Sequence, residues 1–70
     1  MTKPHVSRRD ISLTEQVETD VVYTRTTWEA ALFGRLSTGE HVDLTRTAPT
    51  YAEALADLEA AINDLGWEIL

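Results

Sequence analysis

Residues Thr50 to Trp67 read Thr50-Tyr51-Ala52-Glu53-Ala54-Leu55-Ala56-Asp57-Leu58-Glu59-Ala60-Ala61-Ile62-Asn63-Asp64-Leu65-Gly66-Trp67, and this run decides the fold. Thr50 and Glu53 stand in the relation of a capping box, in which the threonine hydroxyl accepts from the Glu53 N–H and the glutamate reaches back. Pro49 blocks extension toward the N-terminus. Tyr51, Leu55, Leu58, Ile62 and Leu65 recur at alternating spacings of four and three, which places them in one apolar stripe. Gly66 follows as a residue free to adopt positive φ, with Trp67 able to fold back on Ile62. The spacing predicts a helix over Tyr51 to Leu65, roughly 22 Å long at 1.5 Å per residue.

The outer side of that helix carries Glu53, Asp57 and Asp64, with Glu59 on a flank and Glu68 just beyond. The last basic residue is Arg46, so no Lys or Arg lies between positions 47 and 70. The formal charge of −6 is therefore concentrated at the C-terminal end. Such a face has two readings, a solvated surface that keeps a small domain soluble and an anionic surface that docks on a basic protein groove.

Upstream, the pattern turns to strands. Ile11, Leu13, Val17, Val21 and Tyr23 share an odd-numbered register among polar residues, the alternation of a half-buried antiparallel strand or strand pair, with Glu18-Thr19-Asp20 either its turn or its middle. Trp28, Ala30, Leu32 and Leu36 alternate on one face, Ser37-Thr38-Gly39-Glu40 is a turn, and Val42 and Leu44 lead the return strand. A hairpin over about 27–36 and 41–47 results. A short helix over Trp28 to Phe33 is the rival, because Thr26 and Glu29 also match a capping box. The strand-like Thr24 to Thr27 favours the hairpin.

The expected fold is α+β, a small antiparallel sheet of three to four strands with one C-terminal amphipathic helix packed on one face, in the order βββα(β). Trp67-Glu68-Ile69-Leu70 supplies the optional edge strand. Residues 8–70 form a single domain and residues 1–7 a flexible N-terminal tail.

Within this order, Thr50, Glu53, Ala54, Leu55, Leu58, Ala61 and Ile62 form the pattern Thr-x-x-Glu-Ala-Leu-x-x-Leu-x-x-Ala-Ile. With the preceding hairpin, residues 28–62 resemble the sheet-plus-helix module of HicB-type antitoxins. The resemblance covers about half the chain and implies a cytoplasmic, oligomerising protein that occupies a partner toxin's active site. Thr47-Ala48-Pro49 stands where that family carries a Gly-rich turn.

Composition narrows the chemistry. With 70 residues and no cysteine there is one small core, no disulfide and no thiolate chemistry, which makes association with a partner or a second copy an expectation. No apolar run has the length of a membrane span and Met1 to Ser7 lacks a signal-peptide core, so the cytoplasm is the expected compartment. Only six basic residues, scattered along the chain, argue against direct nucleic-acid binding. His41 and Asp43 would share a strand face, with Glu29 the third candidate across the hairpin, but three convergent ligands are the minimum for a metal site and none is assigned. No phosphate loop, nucleophile elbow or activated carboxylate pair is present, so neither catalytic residues nor a cofactor are expected.

Phe33 falls on the face opposite Trp28 and Leu32, outward if the helix covers the Trp28 side. The sequence thus points to a small acidic, non-enzymatic protein-binding module, an inhibitor or antitoxin-like neutraliser. Its candidate partner-binding residues are Glu53, Asp57, Asp64 and Glu68 on the acidic side and Phe33 on the sheet face. Two alternatives accompany it, a phage-type nucleic-acid mimic that blocks a DNA- or RNA-binding protein and a self-associating assembly subunit, a homodimer in the simplest case.

Overall fold

The computed structural model describes residues 3–70. Strands β1 (His5–Val6), β2 (Ile11–Thr19), β3 (Thr24–Arg35) and β4 (His41–Ala48) precede helix α1 (Tyr51–Asp64) and strand β5 (Glu68–Ile69). The antiparallel sheet has the order β2-β3-β4, and β1 and β5 form a separate parallel pair. The α+β class and the C-terminal helix packed on the sheet agree with the sequence reading.

The helix forms where its caps place it. The Glu53 N–H donates to Thr50 Oγ1 at 3.2 Å, and Thr50 is extended, as a helix cap requires. At the other end the Trp67 N–H donates to the Ile62 carbonyl at 3.2 Å and the Gly66 N–H to that of Asn63 at 2.9 Å, with Gly66 at φ 83°. This is the Schellman closure that the Gly66-Trp67 pair predicts. The buried line of the helix is Ala54, Leu58 and Ile62, however, and the ends of the expected stripe, Tyr51 and Leu65, are half-exposed. A methyl at position 54 lets the first helical turn approach the sheet closely, which leaves Tyr51 beside the sheet, its ring edge-on to Trp28 at 5.3 Å.

Even-numbered positions of β3 and β4 face the helix, with Ala30, Leu32, Val42 and Ala48 all buried, and the register gives the same face to Ile11, Leu13, Glu15 and Val17 of β2. Trp28 to Phe33 is strand throughout, which settles the hairpin against the short helix. The odd register from Ile11 breaks at position 20. β2 ends at Thr19, and Asp20 to Tyr23 form the turn, held by an Asp20 N–H to Tyr23 carbonyl bond of 2.8 Å. Val21 and Tyr23 are turn residues, not members of the strand face.

The chain ends also differ from expectation. Met1 and Thr2 of the expected tail lie outside the described residues, but His5 and Val6 form β1, and Val6 is only 1 % exposed. β5 does not extend the main sheet as an edge strand. It pairs with β1 through bonds from the Glu68 N–H to the Pro4 carbonyl and from the Leu70 N–H to the Val6 carbonyl, and the Arg8 N–H returns to the Leu70 carbonyl. Val6 is apolar enough to enter the core once β5 supplies backbone partners for its neighbours.

β3 has twelve residues, but β4 pairs only with Trp28 to Arg35. Beyond Trp28 the sheet narrows to the two strands β2 and β3, which project as an arm ending in the Asp20 to Tyr23 turn. The molecule measures 54 × 17 × 15 Å with a radius of gyration of 14.2 Å. A compact domain of this length has a radius of about 11 Å.

Candidate interaction surfaces

Three surfaces remain after the core is formed, each placed by a different element. The first is the α1 flank nearest β4. Glu53, Asp57 and Asp64 are exposed along one line of the helix, because Leu58 and Ile62 hold the opposite side to the sheet. Asp57 and Asp64 line an open groove of about 550 Å³ with Ala60, Ala61, Leu44 and Arg46. Arg46 thus brings a positive charge near these acids, which the chain order alone conceals. Its guanidinium donates to the neighbouring Thr45 carbonyl at 2.6 Å.

Glu68 is not part of that line. It sits in β5 opposite His5 and lines a different depression with Lys3, Pro4 and Leu70. Glu59 lies on the other flank of α1, 3.9 Å from the Arg8 guanidinium in a solvent-exposed pair, a geometry that contributes little to stability.

The second surface is the sheet face turned away from α1. Phe33 is 70 % exposed there, beside Asp43 on β4. Glu18, Glu29 and Asp43 on this face are largely offset by Arg25 and Arg35, so it is close to neutral while the helix flank is anionic. Glu29 pairs with Thr47, whereas His41 pairs with Arg35, six residues further along β3. At about 3.3 Å per residue that puts Glu29 roughly 20 Å from His41, too far to complete a metal site with it. Among the described residues no group of three His, Asp or Glu side chains is placed to hold a metal ion.

The third surface is the arm, which the sequence reading did not single out. Val17, Val21, Val22 and Tyr23 are exposed on it, Val21 and Val22 at 99 % and 88 %. Its signal in the sequence was the apolar Val21-Val22-Tyr23 run beside Asp20, a turn-forming residue whose carboxylate accepts from the Val21 N–H at 2.7 Å. Among the described residues no helix is long and apolar enough to cross a membrane.

Among the described residues the two larger depressions are open grooves. No family model matches the chain, and no curated protein and no solved structure matches it either.

Proposed function

We propose that this chain is a non-enzymatic protein-binding module, an inhibitor or antitoxin-like neutraliser, that docks a basic protein surface on the α1 flank. The observation that carries this reading is the line of Glu53, Asp57 and Asp64. All three are exposed while the apolar side of the same helix is committed to the core. The groove beside them has an apolar floor in Leu44, Ala60 and Ala61, so a partner could combine charge with buried contact.

Charge density favours a protein partner over mimicry of a nucleic acid. From Glu53 to Asp64 the helix rises about 16 Å, and three aligned acids occupy that length. A single strand of DNA carries roughly five phosphates over the same distance. Glu68, the fourth candidate acid, lines another surface.

A tagged chain used to capture partners from a lysate, at low and at moderate salt, tests the proposal against the Asp57→Lys, Asp64→Lys double variant. Capture of a basic protein that is lost on raising salt and lost in the double variant supports it. Equal capture by both proteins, or capture unaffected by salt, removes the α1 flank as the interface. Phe33 favours a second contact, since an exposed aromatic on a nearly neutral face suits apolar docking.

A further inference from the structure

β4 leaves the sheet at Ala48 because Pro49 has no N–H with which to continue the ladder. β3 nevertheless runs on through Thr24 to Thr27, paired on one side with β2 and on the other with no strand among the described residues. An arm of two strands is marginally stable alone in water, and three or more are needed for independent stability. The row that β4 vacates is about 13 Å long.

The other sheet edges carry a device against strand addition that this one lacks. β2 points Glu15 and β4 points Arg46 onto the helix-side face, and inward-pointing charges on edge strands discourage further pairing. On the β3 segment the helix-side residues are Thr24 and Thr26, which are uncharged and favourable in strands.

We propose that this segment is the interface for a second copy of the chain, whose arm tip, Val21 to Thr24, enters the row vacated by β4. A twofold axis perpendicular to the sheet makes the second β3 antiparallel to the first, and so parallel to β4, whose row it continues. With Thr24 beside Thr24 of the second copy, Tyr23 lies across from Arg25 of that copy, a cation–aromatic pairing, and Arg25 avoids its own twin. The same register carries the second copy's Val21 and Val22 toward Thr26 and Thr27. Thr26 and Thr27 line a notch of about 150 Å³ whose far wall is Ala48 and Pro49. The product is a pair of antiparallel arms overlapping at their ends, in which each apolar tip covers the other copy's notch. The α1 flank and Phe33 remain free, so this association is independent of the proposed partner site.

Sedimentation of the full chain, up to about 500 µM, tests the inference. The expected result is a concentration-dependent monomer–dimer equilibrium. Val21→Asp with Val22→Asp should weaken it at least tenfold, an effect of the size expected for loss of central apolar contacts. Both side chains are in solvent in the single chain, so at dilutions where both proteins are monomeric the circular dichroism and the urea midpoint should be unchanged. Thr26→Asp, which adds a charge to the vacated row, should weaken the dimer as well, and Asp57→Lys with Asp64→Lys should leave it intact. A chain that stays monomeric over this range overturns the inference. So does a dimer that survives both arm substitutions, or one abolished by the α1 substitutions instead.

Discussion

The carboxylate of Asp10 lies directly over the α-carbon of Gly34. A Cβ at position 34 would overlap Asp10 Oδ2 and stand 2.5 Å from its Cγ. Asp10 ends the short 3-10 turn Arg8–Asp10 that leads β1 into β2, and Gly34 sits near the C-terminal end of β3. The absent side chain is therefore what allows that turn to cross the sheet.

Gly34→Ala should destabilise the fold by about 1–3 kcal/mol, the cost of forcing a methyl into occupied space. Chemical denaturation measures it, and adding Asp10→Gly should restore most of the loss. An equal loss with and without Asp10→Gly would show that the contact is not the cause.

Val6→Ala should cost about 2 kcal/mol, since Val6 is 1 % exposed within the core cluster. A side chain in a flexible tail would give no measurable change. The urea midpoint separates the two cases.

Gly66→Ala should cost about 1 kcal/mol because φ is 83° at this position and no neighbouring atom obstructs a methyl there. Gly66→Asn should cost less, since asparagine tolerates the left-handed region. Thermal unfolding of the three proteins gives the order glycine, asparagine, alanine from most to least stable.

Phe33→Ser should change stability by no more than about 0.5 kcal/mol, as for other exposed positions. The side chain is 70 % exposed and faces away from α1. Retained folding with weaker capture of a partner would identify the outer sheet face as a contact surface, and loss of folding would mean that Phe33 is structural.

The helix and the β3–β4 hairpin were legible because their determinants are local. A cap and a left-handed glycine lie within one turn of each helix end, and the alternation around Leu32 and Val42 continues on both sides of a Gly39 turn with φ 99°. β1 and β5 were not legible, since two-residue strands carry no periodicity and their pairing joins residues at opposite ends of the chain. Alternation also says which face a residue takes but not whether anything covers that face. Leu13 and Val17 share a register, yet Leu13 packs against the core and Val17 is 53 % exposed, because the helix does not extend over the arm. Of the candidate binding residues, Glu53, Asp57 and Asp64 could be aligned from helical spacing, whereas the position of Glu68 depended on the direction the chain takes after Gly66.

The pairing of Val6 with Ile69 joins positions 63 residues apart (69 − 6 = 63). Closing so long a loop is entropically unfavourable, so this contact belongs to the late stages of folding, after the hairpins and α1 have formed from nearer neighbours. During synthesis the chain emerges N-terminus first, and Val6 lacks its β5 partner until Ile69 has left the ribosome. The order in which the ribosome delivers these residues thus keeps the Val6 side chain without its β5 cover until Ile69 has emerged.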